Sequence, residues 1–436
     1  MKTSFSVVGD MLVQRRIPAN YDGYDQIQQQ ITKGDARFVN LETTLHYGEH
    51  FGNQFCGGSY LRAVPETLDD VKAFGFNLLS FANNHSMDFA HGGLMATKKA
   101  VDTAGFVNTG AGANLDEAAA PAYLDTVNGR IALISTCTMD NDAALAGKQS
   151  RRIPGRPGVN GMRLQEYLQV TEDQLRTIRE IADPSHINAQ KDIERAEGYH
   201  PPLPDGIAEL KNLQFKLGDE TKYITHPHAE DMERIKKAIY EATMQADYVI
   251  VSIHSHELSG GKKENPSDFL QEFAHNCIDS GAHAVIGHGP HLLRPLEIYR
   301  DCPIFYSLGD FVIHNECIPF APEEMYHKQG LTSDATMREL FFDRSAGYTR
   351  GLMRDRRMLE SVIPYFEMTD GKLSYLELMP IELQFDKSVW QNGNPRFSKN
   401  YGIIERYAKM SAPFGCSIDI DERGFGIVDL NQSVSY

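Results

Sequence analysis

Two histidines follow a short apolar run in this 436-residue chain. Residues 284–286 are Ala-Val-Ile, a run typical of a buried strand. His288 and His291 come next, separated by a Gly-Pro pair. The glycine lets the backbone approach a ligand closely, and the proline fixes the direction of the second ring. Imidazoles at the carboxyl end of a strand are typical of metal sites in α/β proteins, although a surface turn with two solvated histidines explains this loop equally well on its own.

The same arrangement recurs at other predicted strand ends. Metal-competent side chains follow apolar runs at Asp10, Glu42, Asn84, His85, His254 and His256, and Asp310 follows a later strand. This recurrence favours a metal site over chance. Carboxylate, amide and imidazole ligands together suit Mn, Zn or Fe, with Ca as a further candidate, as one ion or as two that share a carboxylate. The set contains no thiolate, which argues against a structural zinc site.

Asp88 stands three residues after His85, where one helical turn would return its carboxylate to the ring. A carboxylate that accepts a ring N–H fixes the tautomer and raises the basicity of the imidazole. The alternative is a helix start, with Asn84 as the N-cap and Asp88 in the first turn. The two interpretations are compatible.

Residues 151–163 form a loop rich in proline, glycine and arginine. Arg152, Arg156 and Arg163 are candidates for binding a carboxylate or phosphate of the substrate through forked hydrogen bonds. In an acidic protein they serve equally well as internal salt-bridge partners. We add His256 and Asp310 as candidate substrate contacts, because each follows a strand at the same edge.

The predicted elements place these residues at one edge of a layered α/β fold. Apolar strands alternate with amphipathic helices at short spacing, with strands at 4–8, 36–41, 76–81, 129–136, 248–253 and 303–308 and helices at 65–74, 92–104, 232–246 and 268–280. We expect residues 1–312 to form a catalytic domain with an insertion at about 150–230, polar and partly helical. Residues 313–436 are expected to be a C-terminal extension whose β-hairpin packs on the same domain.

Composition limits the partners of the protein. The formal net charge of −16, from 43 basic and 59 acidic side chains, argues against nucleic acid and against an anionic membrane surface. Six scattered cysteines without a CxxC pair indicate reduced thiols. With no signal sequence and no run of 18 apolar residues, we expect a soluble cytoplasmic protein without membrane insertion.

Six stretches, in this order, resemble the CapA-type poly-γ-glutamate (capsule) synthesis proteins, a branch of the calcineurin-like metallophosphoesterases: VVGDML, FVNLETTL, LLSFANNHSMDF, VIVSIHSHE, VIGHGPHLLRPLEIY and PIFYSLGDF. The resemblance implies a four-layer α/β/β/α sandwich with the metal site on loops at one edge. It implies as metal ligands Asp10, Glu42, Asn84, His85, His254, His288 and His291. The usual SLGNF of the family is SLGDF here, which adds the carboxylate of Asp310. Many relatives carry an N-terminal membrane anchor, which we do not expect in this chain.

Three functions fit these residues, each with a small anionic or peptide substrate. In a metal-dependent hydrolase, metal-activated water attacks a phosphoester or a glutamyl-type peptide amide. His85, oriented by Asp88, protonates the leaving group, and His291 or His256 stabilises the developing charge. In a metal-dependent peptide epimerase, His85 with Asp88 and His291 with Asp10 exchange a proton on opposite faces of a Cα. The third is a non-catalytic component of poly-γ-glutamate synthesis.

Overall fold

A computed structural model describes residues 2–56, 58–139, 141–314, 317–318, 320–351, 354–388 and 390–432. The strands are β1 (Lys2–Leu12), β2 (Ala36–Leu41), β3 (Thr44–Leu45), β4 (Arg62–Ala63), β5 (Leu78–Ser80), β6 (Val107–Thr109), β7 (Ala111–Gly112), β8 (Ala122–Thr126), β9 (Gly129–Cys137), β10 (Gly158–Val159), β11 (Leu164–Val170), β12 (Ile207–Leu210), β13 (Leu213–Leu217), β14 (Lys222–Pro227), β15 (Tyr248–His254), β16 (Ala284–His288), β17 (Leu293–Tyr299), β18 (Cys302–Leu308), β19 (Asp310–Ile313), β20 (Glu360–Thr369), β21 (Lys372–Leu383), β22 (Pro395–Phe397), β23 (Ile418–Ile420) and β24 (Gly426–Val428). The helices are α1 (Tyr24–Thr32), α2 (Thr67–Phe74), α3 (Ala90–Thr103), α4 (Leu115–Ala119), α5 (Glu172–Ser185), α6 (Ala189–Ala196), α7 (Ala229–Thr243), α8 (Asp268–Asp279), α9 (Glu323–Lys328), α10 (Met337–Arg344) and α11 (Gly402–Ser411).

Strand β1 is central in a ten-stranded sheet ordered β23-β24-β21-β20-β1-β2-β5-β6, to which β19 and β22 are attached. It runs parallel to β2 and β19 and antiparallel to β20. Phe5 and Val7 belong to one apolar cluster, and Val8 and Met11 belong to another. Both faces of this strand are therefore buried, which explains its nearly continuous apolar sequence.

A second, six-stranded sheet is ordered β17-β18-β16-β15-β9-β8. Strand β15 lies between β9 and β16 and is parallel to both. The register pairs His254, the last residue of β15, with His288, the last residue of β16. Because parallel strands end at the same edge of a sheet, this register puts the two imidazoles side by side.

The two sheets pack face to face, and helices cover their outer faces. Phe5 and Phe38 of the first sheet share a cluster with Leu133 of the second and with Phe273 of α8. On the other face of the first sheet, Val71 of α2 packs in a cluster to which α1 and α3 also contribute. Burying each such side chain stabilises the fold by about 1.5–3 kcal/mol. The predicted four-layer α/β/β/α sandwich is confirmed.

The inserted segment carries a small sheet of its own, ordered β12-β13-β11-β14, in addition to α5 and α6. The helical part expected in this insertion includes α5, which begins with a capping box formed by Thr171 and Gln174. The strands escaped prediction because their sequences are polar and they remain largely at the surface. Strand β14 packs on α8, where Thr225 Oγ1 accepts a hydrogen bond from the Phe269 N–H at 3.2 Å.

The C-terminal hairpin joins the first sheet. Strands β20 and β21 are connected by Asp370 and Gly371, both with positive φ, as a tight hairpin turn requires. Strand β20 pairs directly with β1, and the division of the chain at residue 312 stays a prediction. Within the described ranges, no helix combines the length and the apolar character needed to cross a membrane.

Candidate metal centre

A close approach of two strands brings two carboxylates together. A Cβ on Gly9 would lie only 1.9 Å from the carbonyl oxygen of Gly309, so only glycine lets β1 and β19 come this close. The next residues, Asp10 and Asp310, are register partners, and the register shifts immediately after Asp10. The Gly-Asp pair at both places therefore directs two buried carboxylates to one edge of the sandwich.

Asp10, His254 and His288 converge at this edge, and all three are fully buried. The two Nδ1 atoms of the histidines are 3.0 Å apart. They lie 3.4 Å (His254) and 3.2 Å (His288) from Asp10 Oδ1. Two ligands about 2.1 Å from one ion, at tetrahedral or octahedral angles, are separated by about 3.0–3.4 Å. The spacing therefore suits ligands of a single ion.

Hydrogen bonds from neighbouring residues fix these groups. Ser252 Oγ lies 2.8 Å from His288 Nε2, which turns Nδ1 of that ring towards Asp10. Asn40 Nδ2 donates to Asp10 Oδ1 at 2.7 Å, and the Gly289 N–H donates to Asp10 Oδ2 at 2.7 Å. Sequence reasoning did not identify Asn40 or Ser252. The sequence did contain a signal for such residues, because side chains alternate between the two sides of a strand. Ser252 lies two residues before His254 and therefore on the same side of β15.

Glu42 is the most unusual group of the cluster. It is completely buried, and neither carboxylate oxygen has a hydrogen-bond partner among the described residues. Its Oε1 lies 3.8 Å from His254 Nε2 and 3.9 Å from His85 Nε2. Burial raises the pKa of Glu42 well above its usual value, and the neighbouring charges of Asp10 and Asp310 raise it further. Among the described residues, no lysine or arginine forms an ion pair with this carboxylate.

The donor set fits a divalent cation. The described part of the chain contains three overlapping groups of potential ligands, and within each group the ligand atoms lie within 4.8 Å of one another. The groups are Asp10 with His254 and His288, Glu42 with His254 and His256, and Asp10 with Glu42 and His291. Asn84 Oδ1 and Asp310 Oδ2 are also buried without a partner there. Buried acceptors are normally satisfied, so these orphaned oxygens indicate a cation, as one ion or two.

His85 and Asp88 form a separate pair beside the cluster. His85 Nδ1 lies 2.7 Å from Asp88 Oδ2, which also accepts the Leu61 N–H at 2.8 Å. The structure thus contains the helical-turn contact that the spacing suggested. His85 belongs to none of the three ligand groups, and its Nε2 faces Glu42.

His291 and Asp310 form a second pair, with His291 Nδ1 2.8 Å from Asp310 Oδ1. His291 has a φ of 58°, a strained backbone conformation for a residue with a side chain. Burial alone would lower the pKa of His291, but the Asp310 carboxylate raises it to about 9. His291 is thus paired with Asp310 and not with Asp10, the partner expected in the epimerase alternative, because Asp10 accepts hydrogen bonds from Asn40 and Gly289.

The structure does not bring the candidate arginines Arg152, Arg156 and Arg163 into this cluster. Arg163 forms a two-point ion pair with Asp231 of α7, at 2.8 and 3.0 Å. Arg156 donates to the Leu145 carbonyl at 3.0 Å, and Arg152 is exposed. Arg156 and Arg163 line a cleft of about 1100 Å³ in which no residue of the metal cluster takes part. His256 and Asp310, the other two candidate substrate contacts, do lie in the cluster.

Comparisons with known proteins give a family and several relatives. The family model described as bacterial capsule synthesis protein PGA_cap matches residues 4–315. An uncharacterized protein of Sinorhizobium fredii is 31% identical over 97% of this chain and 92% of its own length. Capsule biosynthesis protein CapA of Bacillus anthracis is 24% identical over 71% of this chain and 60% of its own. Among solved structures, a putative 5′-nucleotidase from Staphylococcus aureus in complex with alpha-ketoglutarate aligns over 94% of this chain and 58% of its own, at 10% identity and a TM-score of 0.39.

Proposed function

The chain belongs to the bacterial capsule synthesis protein family PGA_cap, and we propose that it is a metal-dependent hydrolase of a phosphoester or of a glutamyl-type peptide amide. The carboxylate of Glu42 is the observation that carries this proposal. It is buried and without a hydrogen-bond partner among the described residues, next to Asp10 and three imidazoles. Burying an isolated carboxylate is strongly unfavourable, so this arrangement makes sense with a cation between the groups.

The residues that would hold the cation are Asp10, Glu42, Asn84, His254, His256 and His288, whose donor atoms converge or are orphaned, while His291 stays paired with Asp310. A bound divalent cation supplies a water of lowered pKa and polarises an oxygen of the substrate. Ser252 and Asn40 keep two of the ligands in position through the hydrogen bonds described above.

In this proposal His85 moves the proton. Asp88 holds Nδ1, so Nε2 of the same ring is directed into the cluster, where it delivers a proton to the leaving group. The negative charge of Asp88 stabilises the imidazolium before the transfer, and the Leu61 N–H keeps that carboxylate in place. His291, held by Asp310, stabilises negative charge that develops on the substrate.

The substrate class comes from the relatives and from the chemistry of the site. The Bacillus anthracis relative is named a capsule biosynthesis protein, and a relative from Mycobacterium tuberculosis, 28% identical over 64% of this chain and 56% of its own length, is named a probable polyglutamine synthesis accessory protein. These names favour an amide between glutamyl residues. A metal-activated water also attacks phosphoesters, which keeps a phosphate substrate within the proposal.

A peptide epimerase is the second candidate, because the structure holds two separate imidazole–carboxylate pairs. His85 with Asp88 and His291 with Asp310 each provide a group that takes or gives a proton. One pair would remove the proton from a peptide Cα, and the other would return a proton to the opposite face. A hydrolase needs only one such proton carrier.

The test uses protein purified without chelator and supplied with Mn²⁺ or Zn²⁺. Wild type, Glu42→Gln and the exposed control Glu49→Gln are incubated with p-nitrophenyl phosphate and with γ-glutamyl peptides, in water and in heavy water. Cleavage by wild type and Glu49→Gln, with loss in Glu42→Gln, supports the hydrolase. Deuterium uptake at a Cα without cleavage supports the epimerase. Bound metal with neither reaction contradicts both.

A further inference from the structure

Arg294 is one of the largest fully buried side chains among the described residues. It lies in β17 opposite Ser307 of β18. None of the described carboxylates forms an ion pair with it. Glu257 is near enough to attract it, but burial still lowers the pKa of Arg294 to about 10. The Glu257 carboxylate instead accepts hydrogen bonds from Ser255 Oγ at 2.7 Å and Thr138 Oγ1 at 2.8 Å. A buried guanidinium without a carboxylate partner is costly, so packing alone does not explain this residue.

Both hydrogen bonds of Arg294 reach the same loop. Nε donates to the carbonyl of Lys263 at 3.0 Å, and Nη2 donates to the carbonyl of His256 at 3.3 Å. Nη1 is buried and has no partner among the described residues. The guanidinium therefore connects the two ends of the segment 256–263, which follows β15 directly.

Apart from the hydrogen bonds of the Glu257 side chain, the described contacts of this segment are few. Its backbone makes an isolated bridge between Leu258 and Pro266 and a long hydrogen bond of 3.4 Å from the Ser259 N–H to Asn265. His256 itself is exposed. Nevertheless its Nε2 lies 3.2 Å from His254 Nε2, close enough for both rings to belong to one cluster.

We infer that Arg294 is a positioning residue of the metal centre: it fixes the carbonyls of His256 and Lys263 and thereby holds the His256 ring beside His254. This inference rests on the proposed function, because it assigns His256 to the metal centre. The planar fork of arginine donates in two directions at once from a fixed plane, whereas lysine is a single donor at the end of a flexible stem. Arginine is thus the residue suited to hold two carbonyls of one loop.

The test begins with metal-free protein, so that it does not depend on activity. Amide hydrogen exchange is compared in wild type, Arg294→Met, Arg294→Lys and the control Arg300→Met, which removes an exposed ion pair with Asp279. We expect exchange to accelerate roughly tenfold or more in residues 257–265 of both Arg294 variants, as for the loss of a hydrogen bond to a charged group, and to stay unchanged elsewhere.

Titration with Co²⁺ then examines the metal centre. The dissociation constant should rise about 10–100-fold in Arg294→Met, as for residues that orient ligands, and the visible spectrum should approach that of His256→Ala. Loop exchange like that of wild type, or a wild-type spectrum and affinity, would overturn the inference. If Arg294→Met loses protection from hydrogen exchange throughout the chain, the variant is unfolded. The same criteria are then applied to Arg294→Lys, which keeps the aliphatic stem and the positive charge. Absence of Co²⁺ binding by wild type would defeat the proposed function, and the exchange data would still decide whether Arg294 orders the loop.

Discussion

Replacing Asp88 by asparagine removes the charge behind His85 while keeping the shape of the site. Asp88 is completely buried, and its Oδ2 accepts from His85 Nδ1 at 2.7 Å and from the Leu61 N–H at 2.8 Å. An amide oxygen can accept both bonds, so Asp88→Asn isolates the loss of charge. If His85 carries the proton, turnover should fall by about 10²–10⁴, which is about 2.7–5.5 kcal/mol of activation free energy. Metal content should not change, because His85 belongs to none of the ligand groups.

Rate and metal content must be measured on the same preparation, with Asp102→Asn as an exposed control. If His85 is instead a metal ligand, Asp88→Asn should weaken metal binding about 10–100-fold. Full metal content together with an unchanged rate would refute both roles and leave Asp88 as a residue that only orders the Leu61 backbone.

Three further predictions concern the rest of the molecule. Thiol titration under denaturing, non-reducing conditions should find all six cysteines reactive, since all six are free thiols in the structure, and any protected pair would contradict this. Burial, aided by Arg15, lowers the pKa of His314 to about 3. As the pH falls, the unfolded chain therefore protonates His314 before the folded chain does, and the free energy of unfolding should decrease between about pH 6.5 and 3 by up to about 1.4 kcal/mol per pH unit. In denaturant titrations of metal-free protein, His314→Gln should make this decrease less steep. An equally steep decrease in the variant would refute the prediction. Arg163→Gln should lower stability by about 0.5–1 kcal/mol, since its ion pair with Asp231 is partly exposed, and should leave KM unchanged; a raised KM would place Arg163 at the substrate instead.

The sequence predicted the parts of the site that depend on single strands. His254 and His288 end two parallel strands, and the rule that such strands end at one edge was enough to put them together. The recurrence of Gly-Asp at residues 9–10 and 309–310 was visible, but the pairing of Asp310 with His291 was not. That contact depends on the left-handed backbone of His291, which a sequence pattern does not reveal.

Other features depend on contacts between distant segments. A basic loop has the same composition whether it binds substrate or forms salt bridges, and for Arg163 the partner Asp231 lies in another helix. Arg294 lies in a strand that also contains Pro295 and Glu297, so the sequence does not distinguish it from an exposed arginine. The small sheet of the insertion was missed for a related reason, because half-exposed strands lack the strong apolar alternation on which prediction depends.

We predict that Asp10, Glu42 and the histidines of the two strand ends bind a divalent cation. Elemental analysis of protein purified without chelator tests it most directly, with wild type, the double variant His254→Ala/His288→Ala and the control His327→Ala, which changes an exposed histidine. We predict at least one Mn, Zn or Fe ion per chain in wild type and control, and loss of most of that metal in the double variant, with all three proteins folded by circular dichroism. Equal metal content in the double variant and the wild type would contradict the account.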